Sequence, residues 1–300
     1  MLGVWLLGFA AVFARAAELR PTPAPAQDPT FQLPLVLKSA REYCCRLERA
    51  AMDFVCLEEV SETVDPSRDE RSTDQLSNII AMGEARLEGH LGKPLPFNRQ
   101  GKLERDNDYL FDYQFVRQQG KVTERRLLLE KNGKKVRGGK EPPKTETFQY
   151  SDILLAPVRL LDDANAQFYR YRLLREDAVD GVKVWLLEVA PRMAIADVYL
   201  GAVIWLAQDN ARVLRIDWDP ATFGNYENIL TRAKKYGLEP RVTSRTEFST
   251  EKNGLRFPSL DLTEEAYIGK DGKKFVRATT RVAYGNYKFF VVETETGVAK

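Results

Sequence analysis

From about residue 168 onward, apolar residues recur in short runs separated by two-residue turn signals, and this pattern predicts a ladder of long antiparallel strands. Residues 168–175 turn at Asp180-Gly181 into 182–189, and 200–206 turn at Asp209-Asn210 into 213–218. Residues 242–248 turn at Asn253-Gly254 into 255–262, and 266–268 turn at Asp271-Gly272 into 275–284. Asn-Gly and Asp-Gly are favoured there because both central residues of a type I′ turn take positive φ. Upstream, the pattern predicts a strand over 54–63 and a hairpin of 108–117 with 122–130 around Gln119-Gly120-Lys121.

Helical periodicity marks three segments. Over 35–51, Val36, Ala40, Tyr43, Leu47 and Ala50 form one apolar stripe; 153–161 is short and apolar with Pro157 near its start. Over 222–236, Phe223, Tyr226, Leu230 and Ala233 share a side. Several ladder strands are apolar on both faces, whereas a strand with one wet face alternates cleanly. The helices are therefore expected to cover the second face. The fold class expected is α+β: a strongly curved antiparallel sheet of about eleven strands, forming an open half-barrel covered by about three helices.

Three hundred residues with 44% hydrophobic content are enough for a full core in one domain. A net charge of +2 gives no electrostatic footprint of the kind a nucleic-acid binder shows. The N-terminus changes the picture more. Residues 2–13 form an apolar run too short for a spanning helix, which needs ~20 residues. Ala14-Arg15-Ala16 supplies small residues for a signal peptidase, so 1–16 reads as an export signal cleaved near Ala16, although no Lys or Arg precedes the run. Residues 17–34 read as a proline-rich leader, and 35–300 as a single domain carrying a long polar loop at 65–102. The expected location is the periplasm, as a soluble protein after signal cleavage.

The three cysteines, Cys44, Cys45 and Cys56, cluster near the first helix. In an exported protein a Cys44–Cys56 bridge would pin that helix to the first strand and contribute on the order of 3 kcal/mol. Pairing through Cys45 and three free thiols are the alternatives. Their spacing, with one distant histidine, does not match a zinc site.

Order and short phrases together resemble a known family. Signal peptide, helix, strand and hairpins precede GAVIW (201–205) leading into VLRIDW (213–218); a helix and three long strands follow, ending in YGNYKFF (284–290). This is similar to exported proteins of the lipoprotein-carrier (LolA/LolB-like) superfamily, over about residues 35–295. The resemblance implies an open β-barrel with a helical lid that shields a lipoprotein's acyl chains in the periplasm. The carrier's lipid-contacting arginine has no assignable position here.

Catalytic chemistry is thin. The single histidine, His90, sits in a Gly-flanked polar loop with no partnered Ser or Cys motif. Residues 133–140 (GKKVRGGK) lack the Gly-Lys-Ser/Thr ending of a phosphate loop. Asp217 and Asp219 share a strand face, but Asp219-Pro220 reads as the end of the strand. No enzyme, cofactor or metal is expected. The apolar aromatic strands supply the candidate ligand cavity: Trp185, Leu187, Ile204, Trp205, Ile216, Trp218 and Phe248. Trp185, Trp205 and Trp218 are equally readable as ordinary core. A basic loop at 131–144 offers Lys131, Lys134, Lys135, Arg137 and Lys140 to a lipid surface or an acidic partner. The expected partners are a lipid or lipoprotein acyl chains, with a membrane or protein for loading and release. The alternative is a periplasmic sensor or scaffold that docks a protein on the curved sheet; it predicts a filled interior.

Overall fold

The computed structural model describes residues 29–51, 54–69, 105–118, 121–139, 145–146, 153–193, 195 and 198–290. Eleven strands form one antiparallel sheet. In chain order its members are β1 (Phe54–Val64), β2 (Arg105–Gln118), β3 (Lys121–Lys131), β4 (Lys134–Gly139), β5 (Tyr169–Val179), β6 (Val182–Pro191), β7 (Ala202–Ala207), β8 (Val213–Trp218), β9 (Glu239–Glu247), β12 (Leu260–Ile268) and β13 (Lys274–Phe289). A two-stranded ribbon, β10 (Thr250–Lys252) with β11 (Leu255–Phe257), stands outside it. The spatial order is β4-β3-β2-β1-β13-β12-β9-β8-β7-β6-β5, so β13 returns to pair with β1 while β4 and β5 remain as edges. The half-barrel is open.

Turn chemistry sets most of the registers. Asn132-Gly133, Asp180-Gly181 and Asn253-Gly254 all take positive φ at both positions, as type I′ turns require. The expected Asp209-Asn210 turn differs: Ala211 carries the positive φ, and a wider loop joins β7 to β8. The expected strand 255–262 is cut at Pro258, which has no N–H for a ladder. Its first part belongs to the small ribbon and its second begins β12. Residues 134–139, expected within a loop, form β4 instead, because Asn132-Gly133 folds them back onto β3.

Among the described residues three α-helices accompany the sheet: α1 (Pro29–Ala50), α2 (Ala156–Leu161) and α3 (Tyr226–Tyr236). Helix α1 starts at Pro29 rather than Leu35 and takes in the end of the expected leader. Its buried residues Val36, Ala40, Tyr43, Cys44 and Leu47 follow the helical period and face the core. It lies against α2, β5 and β11. Pro157 falls in the first turn of α2, where its missing N–H has no intrahelical acceptor to lose. Helix α3 ends at Gly237 in the left-handed conformation and packs Ile229 and Ala233 against Tyr267. Among the described residues, no helix is long and apolar enough to cross a membrane. His90, Lys140, the expected export signal and most of the leader and long loop lie outside the described residues.

The three cysteines are free, so the expected Cys44–Cys56 bridge is not formed. Cys44 sits near Asp162 beyond α2, whereas Cys56 neighbours Tyr287 on β13. Burial is the main cause that raises both thiols, Cys56 to about 12. Cys45 is exposed on the far side of α1. A thiol reagent on the native protein is therefore expected to modify Cys45 alone, with Cys44 and Cys56 reacting only after denaturation. Counting modified thiols by mass spectrometry checks this; fast reaction of all three would contradict the packing of α1.

Candidate functional site: the helix-covered inner face

The inner face of the sheet divides into two halves of different chemistry. Over β5–β8 it is apolar. Register places Leu173, Leu187, Ile204 and Ile216 side by side across these strands, and all four are buried in one core cluster with the inward residues of α1 and α2. Phe248 and Trp218 join the same cluster, and Trp185 packs at its margin. Six of the seven expected cavity residues thus come together.

Trp205 does not. In β7, Ala202, Ile204 and Leu206 point inward, so the period-2 pleat sends Trp205 to the outer face. There it packs with Val184, Leu186 and Leu214 in a separate cluster. Its indole Nε1 donates to Asp217 at 2.7 Å, and Arg215 stacks over the ring at 4.8 Å while bonding Asp217. Asp217 is therefore an outer-face partner. Asp219 accepts from the backbone N–H of Ala221 at the turn that follows β8. The two carboxylates share no cleft.

The other half of the inner face, over β1, β13, β12 and β9, is polar and buried. Glu62 pairs in register with Thr280, Thr280 with Thr263, and Thr263 with Ser244, giving one polar row across four adjacent strands. Ser244 and Thr263 share a hydrogen bond of 2.8 Å. The indole of Trp218 donates to Thr246 at 2.9 Å, and Thr246 donates to Asp261. Trp218 thus stands where the apolar and polar halves meet. Burial is the largest influence on Glu62 and raises its carboxyl against the backbone N–H of Glu146, which donates to it at 2.6 Å.

Two arginine–carboxylate clusters anchor this half. Arg126 on β3 forks onto Glu58, through Nε at 2.5 Å and Nη2 at 3.0 Å, and bonds Glu124 as well. Tyr284 donates to Glu58 at 2.8 Å and Tyr113 to Glu124 at 2.6 Å. At the other end, Arg277 bonds Asp69, Glu146 and Glu265, while Arg232 of α3 forks onto Glu265. Buried charges persist only when paired and hydrogen-bonded in this way. Sequence reading missed both clusters.

Directional contacts from Arg41 and Tyr43 help tie helix α1 down. Arg41 donates to the Leu161 carbonyl at 3.1 Å and pairs with Asp163 at 2.6 Å. The Tyr43 hydroxyl accepts from the Arg256 N–H at 2.9 Å and donates to its carbonyl at 3.3 Å. Burial pushes the Tyr43 hydroxyl up to about 12. Apolar packing of Val36, Ala40 and Leu47 adds to its hold.

Lys131, Lys134 and Lys135 stand at the β3–β4 hairpin, where Lys131 pairs in register with Tyr109 and lies 5.5 Å from its ring. Arg137 lies further along β4. Among the described residues, no group of three or more His, Cys, Asp or Glu side chains could hold a metal ion.

No family model matches the chain, and no curated protein matches it. Among solved structures it is similar to a DUF1329 family protein from Desulfovibrio piger, at 14% identity over 86% of this chain and 95% of that one, with a TM-score of 0.38. It is also similar to a LolA superfamily protein from Nitrosomonas europaea, at 13% identity over 86% and 94%, with a TM-score of 0.36. A third is an outer membrane lipoprotein-sorting protein domain from Vibrio parahaemolyticus, at 12% identity over 88% and 94%, with a TM-score of 0.40. The open half-barrel itself stands on the chain's own strand order and helix placement.

Proposed function

We propose that this is an exported, periplasmic binding protein that holds a lipid or lipoprotein acyl chains on the apolar half of its inner face, with α1 as the lid. The observation that carries the reading is the match between what α1 covers and how it is held. It covers the apolar strands, and its inward side chains, Val36, Ala40, Tyr43 and Leu47, are what an acyl chain would replace. Each acyl CH₂ taken out of water contributes about 0.8 kcal/mol, so a long chain can compensate for the displaced apolar face of one helix. Opening would break the polar ties at Arg41 and Tyr43. Binding would be burial without chemistry, and release would need a membrane or protein that competes for the ligand.

A second reading, a sensor or scaffold that docks a protein on the curved sheet, is favoured by one observation. Tyr43, Phe54, Phe248 and Phe257 fill the interior, all almost wholly inaccessible to solvent.

Organic extraction and native mass spectrometry of protein from an exporting host separate the two, together with uptake of a fluorescent fatty acid. The expected result is one bound lipid per chain, and faster uptake by Tyr43→Phe, which removes both hydroxyl ties to Arg256. An empty protein that takes up no fatty acid, with or without Tyr43→Phe, would overturn the lipid reading and leave the docking one.

A further inference from the structure

The side of α1 that faces away from the sheet borders a groove of about 790 Å³ closed by Asp163 and by Asn210 of the β7–β8 turn. Lys38, Arg41, Arg46 and Arg49 line it, against two carboxylates, Glu42 and Asp163. Asp163 is already occupied by Arg41. Among the described residues Lys38, Arg46 and Arg49 carry no ion pair, and all three are exposed. Arg46 lies 5.8 Å from the Tyr43 ring. Arg46 and Arg49, three residues apart, are neighbours on the helix surface and can present two guanidinium forks to one phosphate. Lys38 lies three turns from Arg49, about 16 Å along the axis.

We infer that this groove is where the protein docks on the anionic phospholipid headgroups of a bilayer. Charge complementarity selects an anion, and the spacing selects a surface. Cations strung over three turns of one helix match a row of headgroups better than a single free phosphate, around which they would converge. The same helix is apolar toward the sheet and basic outward, the division that marks interfacial helices. If α1 opens as a lid, its docked face would set the apolar strands beside the membrane. The inference itself stands whether or not an acyl chain binds beneath.

Flotation of the full exported chain with phosphatidylglycerol/phosphatidylcholine vesicles tests it, with pure phosphatidylcholine vesicles and a water-soluble glycerophosphate as the other arms. The expected result is binding to the anionic vesicles only. The Arg46→Glu/Arg49→Glu variant should bind about thirtyfold or more weakly, from the usual contribution of each basic residue near an anionic surface. Lys134→Glu/Lys135→Glu, at the β3–β4 hairpin, should bind as the parent does. A polarity-sensitive probe on Cys45, which lines the groove, should respond to anionic vesicles. Unchanged thermal melting of the variants keeps the comparison one of binding. Binding that survives reversal at Arg46 and Arg49, binding abolished by millimolar glycerophosphate, or no vesicle binding at all would each overturn the assignment.

Discussion

Replacing Arg126 with Met is expected to destabilise the fold by about 3–5 kcal/mol at neutral pH and by much less near pH 4, because it strands a buried carboxylate. Glu58 is fully buried, and Arg126 supplies two of its hydrogen bonds. Burial is the largest influence on Glu58 and pushes its carboxyl up, and Arg126 works against that. Removing the guanidinium leaves burial almost unopposed, with Tyr284 still donating. A carboxyl whose folded pKa is raised contributes stability that is present below its unfolded value and lost as pH rises through the folded one. The deficit of Arg126→Met should therefore grow from pH 4 toward neutrality. Urea titrations at several pH values measure it. Glu58→Gln in the same background should recover a large part of the loss, since an amide needs no countercharge. A deficit that is flat with pH, or undiminished by Glu58→Gln, would mean that lost packing of the arginine stem dominates.

The turns and the order of elements were legible because their signals are local. Asn253-Gly254 specifies its own dihedrals whatever surrounds it, and the stripe from Val36 to Leu47 identifies one helix face without reference to the sheet. Which face of a strand points inward is a different kind of information. In β12 the alternation of Leu260 and Leu262 with Asp261 and Thr263, taken alone, places the leucines inside. The structure buries Asp261, Thr263 and Glu265 and leaves both leucines partly exposed. The period is right and the face is reversed: Ser244 and Thr246 of β9 hydrogen-bond Thr263 and Asp261, and Arg277 of β13 pairs with Glu265. In β1 the apolar face does point inward, but Glu58 and Glu62 are buried on it beside Val60. Nothing local to either strand announces Arg126, sixty-eight positions beyond Glu58. Trp205 was misplaced for a related reason: a tryptophan in an apolar strand was assigned to the cavity by its type, and the pleat overrules type.

Arg277 should prove as costly to lose as Arg126, and a lysine should not replace it. Its side chain is 5% exposed and bridges three carboxylates from different parts of the chain. Nη2 reaches Asp69 at 2.8 Å and Glu146 at 2.7 Å, Nε bonds Asp69 at 3.1 Å, and Nη1 lies 3.5 Å from Glu265. It thereby joins the segment after β1 and the segment around Glu146 to β12, where Arg232 brings in α3. Arg277→Met is expected to cost about 3–5 kcal/mol, the range for breaking a buried pair while its partners stay charged. Arg277→Lys keeps the charge but not the planar fork, whose Nε, Nη1 and Nη2 reach the carboxylates from separate positions. It should fall between parent and Met. Asp69 gives a second readout. Burial pushes its carboxyl up, but hydrogen bonds from Arg277 and Tyr236 outweigh that and hold it below the usual range. A depressed carboxyl contributes stability that is present above its unfolded pKa and lost as pH falls through the folded one. In Arg277→Met that acid-side loss should shrink, and a double-mutant cycle with Asp69→Asn should return a coupling of about 1–3 kcal/mol. If Arg277→Lys melts like the parent, the three-way bridge contributes nothing beyond its charge, and the fork geometry of the guanidinium is not what holds the polar end of the inner face.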